Sequence, residues 1–306
     1  MNGLKNNTIE TGRIETANTK RVLVRECIGE RGRFSRVFET KNGEKAAVIY
    51  PKAVHFQRDG VWRSIENTLA LSKDQLSYEN TQGRMKVRIA RNPKFAETLK
   101  NIVSVKFKQS QTEESVGSTV FTELASVEKD GFTISWGLKS QKTMIATLSD
   151  EIKTSEFQIS PIRMQTAEEK LLKLSTLSSA GYFKEILPGM DIRYRLESEV
   201  MKEEILLKNK EAAATELTFV MKHPGLVIKK LEDGSLVLCK AQLEAEQTGN
   251  VLDEDIVFYL DQPILFDQNG AVLKADYRIT PENGISEITI LMDQAWLMDE
   301  ERAYPI

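Results

Sequence analysis

Histidine and cysteine, common bases, nucleophiles and metal ligands, are scarce in this chain of 306 residues. There are two histidines, His55 and His223, and two cysteines, Cys27 and Cys239. Neither histidine has a second one at metal-ligand spacing, so no metal site is expected. A Ser-His-Asp triad is a spatial arrangement, and spacing alone does not exclude it. No G-x-S-x-G elbow supports one, however. Packing beside Trp62 in a β-hairpin is the default reading of His55. Two cysteines fall short of a disulfide framework, and buried free thiols are the expected state.

Paired carboxylates would suit glycoside hydrolysis. Glu203-Glu204, Asp253-Glu254-Asp255 and Asp299-Glu300-Glu301 are the candidates. On a strand, neighbours point to opposite faces, so Glu203 and Glu204 should not converge on one bond. The other two groups read as solvated loop acids. Asp253-Glu254-Asp255 also lacks the glycine and distal glutamate of a calcium loop. Gly29-Glu30-Arg31-Gly32 lacks the Lys-Ser/Thr end of a phosphate loop. Arg31 and Arg33 with Phe34 make too small a basic patch for nucleic acid, and the net charge is −3. No cofactor is expected.

Sugar binding needs aromatic faces beside polar groups, because the C–H face of a pyranose stacks on a π surface. Tyr50, His55 and Trp62 are the candidate carbohydrate-binding residues. A hairpin turning at Asp59-Gly60 would bring Phe56 and Trp62 together, and as core residues they would instead clamp that hairpin. Trp136 and Trp296 sit in apolar patterns that point to a core.

These residues must be positioned by strands. Apolar residues alternate with polar ones at Met85/Val87/Ile89, Val103/Val105/Phe107, Phe132/Ile134/Trp136 and Ile288/Ile290/Met292, and Phe34, Arg36 and Phe38 share one side of their segment, with Ser35 and Val37 on the other. Period two places one face on a core and the other in water, as in antiparallel sheet. Asn42-Gly43, Asp59-Gly60, Asp130-Gly131, Asp233-Gly234, Asn269-Gly270 and Asn283-Gly284 supply turn pairs between such runs, with Pro188-Gly189 as another. Thr166 can cap a short helix over Ala167-Glu168-Glu169-Lys170-Leu171-Leu172-Lys173-Leu174. The expected fold is all-β: two antiparallel β-sandwich-like domains, 21–165 and 166–306, with a short helix or loop between them. Residues 1–20, polar and poor in large apolar groups, read as a flexible linker. Val54–Trp62 and Ile264–Val272 echo each other, as a duplication or simply as two hairpins.

Tyr50-Pro51-Lys52-Ala53-Val54-His55-Phe56, then Asp59-Gly60, Trp62, Ile65, Asn67, Thr68 and Leu69, form one recognisable string. Tyr182-Phe183-Lys184-Glu185-Ile186-Leu187-Pro188-Gly189-Met190-Asp191-Ile192-Arg193-Tyr194, followed by Lys202-Glu203, form a second. Trp296-Leu297 and Tyr304-Pro305-Ile306 form a third. In this order the strings resemble the β-rich region that precedes DNRLRE-type domains and Rhs/YD-repeat arrays in large wall-associated or secreted bacterial proteins.

The resemblance implies a non-catalytic structural or adhesive scaffold module outside the cell or at its surface. Its partners would be neighbouring modules of the same polypeptide and cell-wall or other glycans. It brings no catalytic residues with it. A carbohydrate-binding module and a polysaccharide-acting enzyme domain are the alternative readings. The sequence departs from the family setting by lacking YD repeats and an export signal. Met1–Asn7 has no apolar leader, which fits a cytoplasmic protein or a removed segment. No run is long enough to span a membrane as a helix. The stretch Ala303–Ile306 is expected to be a seam with a following module.

Overall fold

The structure, a computed structural model, describes residues 22–93, 121–139, 156–161, 166–214, 216–241, 253–282 and 284–306. The proposed linker, the Val103/Val105/Phe107 alternation and Asn283 lie outside the described residues. Antiparallel sheet dominates, as the alternation requires, and the chain divides into two compact units, 1–62 and 63–306.

The first unit contains β1 (Leu23–Glu26), β2 (Ser35–Thr40), β3 (Lys45–Ile49), β4 (His55–Arg58) and the start of β5 (Val61–Ser64). β1, β2 and β3 form one antiparallel sheet, and β4 and β5 form a two-stranded hairpin. Asp59 (φ 54°) and Gly60 (φ 75°) both take left-handed backbone at the hairpin turn. A two-residue hairpin turn of this hand needs positive φ at both positions, which Asp-Gly tolerates. On β2, Arg36, Phe38 and Thr40 face inward. Phe34 precedes the strand and is largely exposed, so a charged residue occupies the inner face where the alternation places aromatics.

The second unit begins with β6 (Glu66–Leu71), β7 (Ser77–Gln82), β8 (Lys86–Ala90), β9 (Phe121–Lys129), β10 (Phe132–Lys139) and β11 (Gln158–Ile159). Next come helix α1 (Ala167–Leu171), β12 (Ser178–Leu187), β13 (Met190–Glu197), β14 (Val200–Leu207), helix α2 (Lys210–Ala213) and β15 (Leu217–Lys222). β16 (Leu226–Lys230), β17 (Leu236–Lys240), β18 (Ile256–Leu260), β19 (Ile264–Phe266), β20 (Val272–Lys274), β21 (Asp276–Glu282), β22 (Ile285–Leu291) and helix α3 (Gln294–Met298) complete it.

An eight-stranded antiparallel sheet runs in the order β21-β22-β15-β10-β9-β8-β7-β6. A four-stranded sheet, β11-β12-β13-β14, packs against it. Trp136 of β10 meets Tyr194 of β13 edge to face, with centroids 6.3 Å apart. Tyr194 in turn meets Phe183, and Phe183 meets Phe157, which touches Tyr78 of β7. This chain of rings joins the two sheets. It needs Gly181, where a Cβ would stand 2.3 Å from the Phe157 ring. β16-β17-β18 and the β19-β20 hairpin form the smaller sheets.

The compact units divide after Trp62, not at the expected boundary 165/166. The free edge of β10 is satisfied by β15, with Ser135 opposite Lys222 and Leu138 opposite Phe219. Strands from both sides of residue 165 therefore share one sheet. The segment expected to link two domains is an internal connection of this unit. It does start with a reciprocal cap: Glu169 N–H donates to Thr166 Oγ1 (3.1 Å), and Thr166 N–H donates to the Glu169 carboxylate (2.9 Å). The two segments that echo each other in sequence each form a two-stranded hairpin, β4-β5 and β19-β20.

Candidate functional site

The densest polar cluster in the first unit is built around Glu26, at the end of β1. Arg31 grips its carboxylate with two bonds, Nε to Oε1 at 2.8 Å and Nη2 to Oε2 at 2.9 Å. Arg36 Nη1 reaches both oxygens, at 3.1 and 3.2 Å. Fork-shaped guanidinium groups suit a carboxylate held in this way. Arg36 and His55 are fully buried. The His55 Nδ1 lies 2.7 Å from the carbonyl oxygen of Gly32. A carbonyl only accepts, so Nδ1 is the donor, and in the neutral ring Nε2 is left as an acceptor. That Nε2 has no hydrogen-bond partner among the described residues and stands 3.6 Å from Glu26 Oε1.

Burial pushes the Glu26 carboxyl up, but Arg31 and Arg36 together outweigh it and hold the group below its ordinary range. Burial lowers the His55 pKa and outweighs the hydrogen bond to Gly32 O, which raises it; Arg36 and Arg31 lower it further, against the smaller pull of Glu26. Tyr50 is buried beside Arg36, and desolvation raises its phenol.

Two of the three sequence-predicted sugar-binding residues, Tyr50 and His55, therefore belong to one cluster, but inside the unit. Neither presents a face on which a sugar ring could stack. Trp62 is partly buried on β5. The polar atoms of Tyr50 and His55 that suggest a sugar ligand face Gly32 and neighbouring charges. Glu26 was missed in the sequence reading. The available signal was Arg36 at an inward position between Phe34 and Phe38, since an arginine facing a core needs a carboxylate.

A second carboxylate centre lies between the two large sheets. Glu203 of β14 accepts the indole N–H of Trp136 at 2.7 Å and stands opposite Tyr194 on β13. No cation approaches within ion-pair distance among the described residues. Burial raises the Glu203 pKa, with the nearby Tyr194 phenol and the hydrogen bond from Trp136 opposing it. Burial, then the Glu203 charge, pushes the Tyr194 phenol far up. Glu204 points the other way and pairs with Arg195 and Arg193. The adjacent carboxylates thus diverge, as strand geometry requires.

His223 is buried at the turn before β16. Its Nδ1 donates to Leu226 O (2.8 Å), which leaves Nε2 to accept from the Ser286 hydroxyl (2.9 Å). The third partner is a carbonyl where a triad needs a carboxylate, and Ser286 is itself buried. Cys27 and Cys239 are both free, and Cys239 is buried. No group of three or more potential metal ligands occurs among the described residues. No helix there is long and apolar enough to cross a membrane. A shallow, open depression of about 480 Å³ lies beside β20 and β21, lined by Gln262, Lys274, Asp276 and Asp293 among others. Asp276 is engaged by Lys230 and by its own neighbour's N–H, and Asp293 caps α3.

Comparison of the chain with protein-family models, with curated proteins and with solved structures finds no match.

Proposed function

We propose that this chain is a structural or adhesive scaffold module of a large, surface-associated or secreted bacterial protein of the Rhs/YD-repeat kind. The observation that carries the reading is where the residues of the three resembling strings lie: they are joints between distant strands. Asn67 of the first string donates from Nδ2 to Leu177 O (2.9 Å) and Ser198 O (2.8 Å). Its own carbonyl accepts from Ser179 Oγ at 2.5 Å. One side chain and one backbone oxygen thereby pin β6 to the open end of the β12-β13 hairpin, where Leu177 and Ser198 lie side by side.

Phe183, Tyr194 and Glu203 of the second string line the seam between the sheets. In the third, Ile306 exchanges two backbone bonds with Leu207 at the edge of β14 (2.7 and 2.9 Å), and the Tyr304 hydroxyl donates to Leu297 O. Asp267 reaches the same segment by accepting from Ala303 N–H and from Arg302. Such cross-ties resist shearing of one layer over another, which a spacer between modules requires.

The test is location. An antibody against the folded chain should label intact cells of the source organism or the culture medium. Signal only after lysis would overturn the reading. Activity on a polysaccharide panel would replace it with the enzyme alternative, and retention on a glycan array would favour the binding-module one.

A further inference from the structure

In the first unit, four ionisable side chains from four successive segments meet with little access to solvent: Glu26 from β1, Arg31 from the loop after it, Arg36 from β2 and His55 from β4, the last two fully buried. Tyr50, after β3, is a further titratable neighbour. With His55 neutral, the four carry a net charge of about +1; a proton on the ring would make it about +2 in a water-poor site. β4 belongs to a two-stranded hairpin, and such hairpins are marginal alone. Its start is tied down at Gly32 and Arg33: Val54 N–H and His55 N–H both donate to Arg33 O (2.8 and 3.2 Å), and the ring donates to Gly32 O. Val54 and Phe56, on either side of the histidine, are buried.

We propose that the Glu26–Arg31–Arg36–His55 cluster is a proton-operated latch, in which protonation of buried His55 releases the start of β4 and uncovers Val54 and Phe56. The nearest oxygen, Glu26 Oε1, is already shared by both arginines, so it cannot neutralise a third cation fully. The ring finds water by carrying its strand outward, and a polar surface becomes an apolar one in mildly acidic surroundings. The burial-driven lowering of the His55 pKa gives the matching sign. The latch is fully closed above the ordinary histidine value of 6.5 and loosens as pH falls through it.

Imidazole NMR resolves this directly, because the chain has only two histidines and buried His223 is the internal reference. Hydrogen exchange, corrected for intrinsic rates, is followed on the amides of residues 54–58 from pH 7.5 to 5. Opening of these amides should grow about tenfold per pH unit below the open-state value of 6.5 and level off once the lower folded His55 value is passed, as one-proton linkage demands. The amides of β12 and β13 should keep their protection. His55→Asn keeps an N–H near the Nδ1 position and takes no proton in this range, so its exchange should be flat with pH. The latch is refuted if His55 titrates at or above 6.5, if the Asn variant shows the same pH response, or if His55 stays neutral until all strands open together. Should the Asn variant not fold, coincidence of the wild-type imidazole titration with local opening still decides the matter.

Discussion

Two partly buried glutamates, one in each unit, have opposite fates. Glu26 is gripped by two arginines and stays ionised more readily than a free glutamate. Glu203 has one indole N–H and a phenol for company and ionises less readily. Burial pushes both in the same direction, so the difference lies in the partners. A guanidinium supplies a full opposite charge and directional donors, whereas an indole supplies one neutral donor. The first unit therefore depends on an internal charge network. The second depends on apolar packing and tolerates one awkward carboxylate.

The sharpest way to break that contrast is Glu26→Gln. It leaves Arg31 and the fully buried Arg36 facing a neutral group, and removing one member of a buried pair costs about 3–5 kcal/mol. Denaturant unfolding should show the first unit opening early while the second keeps its midpoint. Trp136→Phe comes next: loss of the donor to Glu203 should cost about 1.5–3 kcal/mol at neutral pH. The Glu203 carboxyl should titrate still higher, as read by carboxyl carbon NMR.

Glu203→Gln should act in the opposite sense to Glu26→Gln. A carboxyl whose folded pKa lies above its unfolded value of about 4.5 contributes most below that value and loses its contribution as pH rises through the folded one. The amide keeps an oxygen for Trp136 and removes the charge, so stability at neutral pH should rise by on the order of 1 kcal/mol. Its advantage over wild type should vanish in acid. Glu204→Gln is the smallest: an exposed-side pair with Arg195 and Arg193 should be worth no more than about 0.5 kcal/mol. A large loss there would show that the outer face of β14 matters more than its geometry suggests.

Sequence patterning read well where the physics is local. The alternation at Val87/Ile89, Ile134/Trp136 and Ile288/Ile290 lies within strands whose inner residues join the core. Asp59-Gly60 and Asp130-Gly131 both turn with positive φ at both positions. Thr166 caps its short helix. The divergence of Glu203 and Glu204 also followed from strand geometry alone. The candidate site was half legible: His55 and Tyr50 were singled out, but as a surface for sugars. Nothing within a few residues of either reports that Glu26 and Arg36 will enclose them.

The sequence by itself determined strands, turns and the side of each strand that faces inward, because these depend on residues one to four positions apart. Tertiary structure alone decided which strands lie together. The β10-β15 pairing joined strands from both sides of residue 165 in one sheet, and Trp136 met Glu203 from 67 positions away. It also decided what a buried charge faces. A pKa is set by distance and solvent exclusion in space, so two glutamates of the same type could be driven in opposite directions by neighbours that sequence order does not reveal.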